Sequence, residues 1–368
     1  MRKKVFIASG ICTLAILVVA GLLALGRFNK QAVETGDRQK PEASSPIKIE
    51  NTSEDPADSQ GTVQNALQQD SVWMEFTSVM DVTCKASGIA ALPDGALLVT
   101  DVYNKVVWKV QPHNGISTVY AGGETVQDLY GEPVGGYNDS RQITSLFSAP
   151  WAIAPFLDGW AVSDADNNAL RLISAGQVQT INGRTMEKLK VSKLGVVFDH
   201  PTGLAADKDG NLYVSDTYNG AVRKISPKGV VTTVLSGLKG PTGLCWKNGV
   251  LYIAETDANR IVKYAKGKYE VLAGSGEDGH GDGPVAEAVF AFPQGLVAGD
   301  DGTIYVADTG NSAVRMIKDG RVSTIFFRDR ASLEMELVSP VGLLIQGKDL
   351  YICDSFAGKV LRVALPEE

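Results

Sequence analysis

The sequence predicts an all-β protein: a six-bladed β-propeller of four-stranded antiparallel blades, preceded by one N-terminal transmembrane helix. Three observations carry this. One unit of about 40 residues recurs six times from Gly88 onward. Inside each unit the apolar residues alternate with a period of two. The first apolar run of the chain, Val5 to Gly26, holds 22 residues without a charge. Repeats of this length mark propellers and solenoids.

Taken in chain order, "MRKK" precedes the apolar run and only Arg27 and Lys30 follow it closely. At 1.5 Å per residue the run spans a hydrocarbon core, and the basic bias places residues 1–4 inside and the bulk of the chain outside. Residues 5–26 are therefore read as an uncleaved signal anchor. The rival reading is a cleaved signal peptide with Ala24 and Gly26 as its small-residue site. Cys12 follows Ile11, a residue too large to precede a lipidated cysteine. Residues 27–70 are charged and small polar with no periodic apolar face, the composition of a disordered linker. Such a coil reaches about 35–40 Å root-mean-square.

The composition of the remainder is that of a globular domain, 71–368. The first 70 residues carry eight basic and eight acidic side chains, so the whole net charge of −7 lies in the body. An acidic body argues against binding phosphate backbones, and nucleic acid is excluded as a partner. Cys84, Cys245 and Cys353 lie in the body. An odd number leaves two arrangements open, one disulfide with a free thiol or three buried thiols.

The fullest copy of the unit reads "HPTGLAADKDGNLYVSDTYNGAVRKISPKGVVTTVLSG". Pro150, Pro201, Pro241, Pro293 and Pro340 open copies two to six. Gly203, Gly243, Gly295 and Gly342 follow two residues later, with Ala152 in copy two and Gly88 in copy one. The small residue is expected where six inner strands crowd one axis. Four β-rich runs, "GLAAD", "NLYVSD", "AVRKI" and "VVTTVL", are separated by the turns "DKDG", "TYNG" and "SPKG", which supply four strands per blade. The sixth copy ends after its third strand. The orphan run 71–79, "SVWMEFTSV", is expected to close it as the outer strand, leaving no open edge.

The runs P-x-G-L, L-Y-V-x-D-T-x-N and A-V-R-K-I, with the loop "GSGEDGHGDGPVAEAVFAFPQGL", resemble the NHL-repeat family of β-propellers. The resemblance covers about four-fifths of the chain and, with the N-terminal segment, is to a bacterial, membrane-anchored NHL-repeat protein. It implies the fold. Function varies across the family, which includes RNA-binding modules, extracellular sensor domains of receptor kinases and a peptide-amidating lyase with histidine-bound zinc at its pore.

An acidic residue closes the second strand of every copy: Asp101, Asp164, Asp216, Glu255, Asp308 and Asp354. Asn104, Asn167, Asn219 and Asn311 stand three residues on. A residue needed by every blade is expected to hold turns rather than a cation ring. Tyr213, Tyr252, Tyr305 and Tyr351 read as interblade core, and Arg171, Arg223 and Arg315 as buried ion-pair partners.

Function is expected where the copies differ. The turn between strands two and three shares one face, the top, with the start of strand one. There the variable positions place Phe356, Tyr103, Trp151 and Tyr218 along one arc of the closed ring, surfaces that suit a protein, a peptide or a cell-surface glycan. Interblade packing is the competing role for these four. Long interblade loops fall on the same face. One of them, "GEDGHGDG", has the oxygen-rich look of a calcium loop with Asp278 and Asp282 as ligands, but not the spacing of an EF-hand. His200 and His280 are expected on the top and His113 on the bottom, so the zinc site of the family lyase does not carry over. No nucleophile elbow or P-loop is present. The reading is thus a membrane-tethered, extracytoplasmic propeller that binds a ligand or partner on its top face as a scaffold or sensor, needs no cofactor and could take calcium. The alternative is a metal-dependent lyase or lactonase-like hydrolase with its site at the central channel.

Overall fold

A computed structural model describes residues 72–81, 84–181, 198–328 and 334–366. The expected anchor and linker lie outside the described residues, as does the loop 183–195. Among the described residues no helix is long and apolar enough to cross a membrane.

The chain forms an all-β, propeller-like fold. Each repeat folds as an antiparallel meander because its alternating runs are joined by tight turns. The first meander is Ala86–Ala91, Leu97–Asp101, Val106–Val110 and Ser117–Ala121. The second is Pro150–Phe156, Gly159–Asp164, Ala169–Ser174 and Gln177–Thr180. The third is Pro201–Ala206, Leu212–Asp216, Ala221–Ile225 and Val231–Ser236. The fourth is Pro241–Lys247, Val250–Glu255, Arg260–Ala265 and Lys268–Ala273. These four stand as separate blades.

The last two meanders merge into one ten-stranded sheet. The fifth is Pro293–Ala298, Ile304–Asp308, Ala313–Lys318 and Arg321–Arg328. The sixth has three strands of its own, Pro340–Gln346, Asp349–Asp354 and Lys359–Ala364. Its fourth is Val72–Asp81, which runs antiparallel to Lys359–Ala364 from Phe76↔Val363 to Asp81↔Lys359. The first half of that strand does something the repeat pattern does not indicate. Val72 to Glu75 pair in parallel with Ile325 to Arg328 of the fifth meander. One segment therefore ties the last two units to each other.

Among the described residues there is no single central core. Six buried clusters each fill one seam between consecutive meanders. The second strands have neighbours on both faces, which is why Leu97–Asp101, Leu212–Asp216 and Ile304–Asp308 are buried throughout. Tyr213, Tyr305 and Tyr351 are buried in the seams, and Tyr252 packs at the edge of one. Tyr213 stacks on Trp246 of the next unit with ring centroids 4.9 Å apart.

At the axis the inner strands touch in cyclic order. A β-carbon on Gly88 would lie 2.6 Å from the Trp151 carbonyl oxygen. On Gly203, Gly243, Gly295 and Gly342 it would overlap the carbonyls of Thr242, Gln294, Val341 and Ser87. Glycine is required here by close backbone approach, not by backbone dihedrals. Gly203→Val should cost at least about 2 kcal/mol by forcing the third and fourth inner strands apart, read as a lowered midpoint in urea unfolding.

Candidate ligand-binding face

The acidic column builds the turns that carry the variable residues. Each carboxylate is buried at the end of its second strand and accepts the backbone N–H of the segment leading into the same meander. The donors are Lys85 to Asp101 (3.0 Å), Ala149 to Asp164 (3.0 Å), Asp199 to Asp216 (2.8 Å), Lys239 to Glu255 (2.9 Å), Ala291 to Asp308 (2.8 Å) and Ser339 to Asp354 (2.7 Å). Side-chain amides three residues on, from Asn104, Asn167, Asn219 and Asn311, complete the turns. A third-strand donor also reaches five of the six: Trp108, Arg171, Arg223, Arg260 and Arg315.

In the second and fifth meanders the buried arginine is held by two carboxylates. Arg315 donates to Asp308 at 2.7 Å and to Asp282 at 2.5 Å, and Asp282 also accepts the Thr324 N–H and hydroxyl. Arg171 repeats this with Asp164, Asp139 and Thr180. Asp282, expected as a calcium ligand, is thus committed to an arginine and a threonine, and the oxygen-rich look of its loop has a structural cause. Asp278 stands four residues before it, where its backbone bridges to Phe290. His280, expected on the top beside His200, hydrogen-bonds Thr324 of the outer strand at 3.1 Å.

The four aromatic candidates divide into two groups, each built around a basic side chain. The Lys85 ammonium lies 4.9 Å from the Phe356 ring centroid and 5.4 Å from that of Tyr103, which makes a cation–π sandwich between the sixth and first meanders. His200 stacks on Tyr218 at 4.5 Å with the rings 10° apart, and meets Trp151 edge-on at 6.3 Å. Phe356 and Tyr218 are 47% and 60% exposed, so neither is interblade packing. Tyr103 and Trp151 are half-buried.

Asp166 links His200 to a second, buried cation, Lys105. Its carboxylate is 3.8 Å from His200 Nδ1. It is also the strongest attractive charge on Lys105, a buried lysine whose ammonium donates to the Val102 carbonyl at 2.7 Å. Burial pulls both the Lys105 ammonium and the His200 imidazole below their usual ranges, and Asp166 offsets this in part. His200 adopts a left-handed backbone (φ 51°), with its N–H held by the Asn168 side chain at 2.7 Å. Gly240 fills the equivalent place in the fourth meander at φ 54°. Phe292 takes the same place in the fifth meander at φ 48°, its N–H held by the Asn259 side chain at 2.9 Å, so the left-handed turn belongs to the repeat and not to His200 alone.

Sequence reasoning missed the hairpin Val126–Gln127 and Pro133–Val134, which rises from the loop between the first two meanders. Glu132 hydrogen-bonds the Tyr103 hydroxyl and pushes the phenol above its usual range. The hairpin therefore stands beside the Lys85 group. Its tip carries Leu129 and Tyr130, 94% and 90% exposed. The turn residues Asp128 and Gly131 are the sequence signal that could have located it, since Asp128 accepts the Tyr130 and Glu132 N–H groups.

The axial channel is narrow, with a cavity volume of about 80 Å³ lined by inner-strand residues including Ser87, Trp151, Gln294 and Val341. At about 10–15 Å³ of such space per water it holds several waters. None of its lining residues carries a carboxylate, imidazole or thiol. Among the described residues no group of three or more His, Cys, Asp or Glu side chains is placed to hold a metal ion.

The model of the NHL repeat matches residues 198–225 and 290–315, the third and fifth inner hairpins with their acidic turns. The chain carries NHL repeats on a β-propeller-like fold. NHL repeat-containing protein 2 from Bos taurus is 26% identical over 302 residues, 72% of this chain and 38% of that protein. Teneurin-3 from Danio rerio is 26% identical over 312 residues, 71% of this chain and 11% of that protein. The chain thus spans well under half the length of either relative. A gluconolactonase from Xanthomonas campestris shares the fold with a TM-score of 0.57 and 14% identity, over 79% of this chain and 89% of that one.

Two outcomes test these contacts. Arg315→Met should cost about 3–5 kcal/mol, because Asp308 and Asp282 are left facing each other without their cation, read by chemical unfolding. For His200 the folded pKa lies below the unfolded value of about 6.5. Its contribution is present above that value and lost as pH falls through the folded pKa. Acidification from about pH 7 to 5 should therefore lower the melting temperature, and His200→Phe should flatten that part of the profile.

Proposed function

We propose that this chain is a six-bladed NHL propeller, closed by Val72–Asp81, that binds a protein partner through the rim of its top face. The observation that carries the reading is the concentration of exposed apolar and aromatic side chains there. Leu129 and Tyr130 at the hairpin tip adjoin Tyr103, Lys85 and Phe356, with Tyr218 and His200 farther along the arc. Exposed large side chains grouped with cations and ringed by polar turns are typical of recognition surfaces. The narrow channel favours a partner that lies across the face over a small molecule swallowed by it. The charge-free run 5–26 and the polar stretch 27–70 support a further element of the proposal, a propeller held on a stalk at the extracytoplasmic side of a membrane. On this reading no cofactor takes part. The lactonase-like alternative draws support from the shared fold alone.

The test is site-specific photo-crosslinking of the full chain in cells of its source. Photoreactive residues replace Tyr130 and Tyr218 on the top, and Lys208, in a strand-one to strand-two turn, on the bottom. Discrete adducts of the same mass from both top positions and none from Lys208 are expected. Equal yields from all three, or adducts from Lys208 alone, would refute a top-face partner.

A further inference from the structure

Of the three cysteines in the described residues, two are brought to one seam. Met80 of the closing strand pairs with Val360, and Val360 pairs with Cys353 of the next strand inward. Residues directly paired across antiparallel strands point to the same face of a sheet. Met80, Val360 and Cys353 therefore all face the first meander, and all are buried there at 2% exposure or less. The chain leaves the closing strand at Asp81, and Cys84, three residues on, belongs to that same buried cluster together with Ala86, Leu97 and Val99.

The repeat shows where the Cys353 side chain points. In each of the first three meanders the residue before the column acid is a hydroxyl: Thr100, Ser163 and Ser215. Each donates across the seam to an inner-strand carbonyl of the next unit, those of Trp151, Thr202 and Thr242. Cys353 occupies this place in the sixth meander, where the next unit is the first. A β-carbon on Gly342 would sit 3.4 Å from Cys353 Sγ and 3.2 Å from the Ser87 carbonyl carbon, so the sulfur borders the segment that begins at Cys84. The two thiols also sense each other electrostatically, since a charge on Cys84 raises the Cys353 thiol further above the level burial sets. Cys245 lies on the inner strand of the fourth meander, packed against a different seam.

We infer that Cys84 and Cys353 are a disulfide-forming pair that joins the first and last blades covalently beside the closing strand, while Cys245 stays a thiol. The structure holds all three as thiols, the reduced state. Closure forms one S–S bond. One cysteine thiolate attacks a disulfide oxidant such as oxidised glutathione and releases one glutathione thiol; the other thiolate then attacks the mixed disulfide and releases the second, so the two protein thiols lose two protons and two electrons in all. The bond would span almost the whole domain, the loop length at which a crosslink restricts the unfolded chain most. Buried thiols exchange slowly once paired, so the bond is structural rather than labile.

The experiment refolds the reduced full chain in a mixture of oxidised and reduced glutathione, so that both thiols are accessible while the ring closes, then unfolds it in N-ethylmaleimide without reductant, digests it and maps it by mass spectrometry. The expected result is a peptide containing Cys84 linked to one containing Cys353, with Cys12 and Cys245 alkylated. The oxidised protein should also melt at least about 5 °C higher than the reduced one. Alkylation of both Cys84 and Cys353, or a link from either to Cys12 or Cys245, would overturn the assignment. The mapping reads the natural sequence, so it does not depend on any variant folding.

Discussion

Backbone crowding at the axis is the constraint on which the rest of this structure depends. Six inner strands come so close that the carbonyl of one occupies the place a side chain would take on the next. That contact explains Gly88, Gly203, Gly243, Gly295 and Gly342. It also explains why the channel is narrow, since no long side chain at these positions can prop it open. Ala152 is the one exception; Ser163 accepts its N–H at 2.9 Å, the same contact that Thr100 makes with the Gly88 N–H at 2.8 Å. With the centre so tight, the space a partner can use lies outward, at the turns.

Those turns are set by carboxylates whose role was legible in the sequence. An acid in every copy, followed in four of the six by asparagine three residues later, is a pattern that a need shared by every blade explains, and the hydrogen bonds show turn building. The second carboxylate on Arg171 and Arg315 was not legible. Asp139 and Asp282 come from long loops some 30 residues before their arginines, and nothing local distinguishes an aspartate that clamps an arginine from one that binds calcium. Oxygen-rich composition serves both purposes, and only the guanidinium's position separates them.

The face was legible as a face and not as a set of contacts. Alternation of loops between the two ends of a meander places Tyr103, Trp151, Tyr218 and Phe356 together without coordinates. What brings them into two groups is a pair of residues from the segments leading into strand one, Lys85 and His200. Their roles come from rings contributed by the flanking units, a relation between residues as far apart in the chain as Lys85 and Phe356. The hairpin tip is harder still, because the Asp128 turn encodes a reversal of the chain and not which face its exposed Leu129 and Tyr130 side chains serve.

The Lys85 group and the closure of the ring occupy the same seam, and this couples recognition to stability. Phe356 belongs to the last unit, Tyr103 to the first, and Lys85 to the short segment that passes between them directly after the closing strand. The same segment carries Cys84, and its Lys85 N–H is held by Asp101. The Lys85 sandwich forms only when Val72–Asp81 has docked and the two ends of the domain have met. A partner that grips Phe356 and Tyr103 together must then bind the closed ring more tightly than an opened one, and its binding energy adds to the stability of the closure. The rest of the top face, around His200 and Asp166, lies on blades two and three, whose seam does not include the chain ends, and is insulated from that opening.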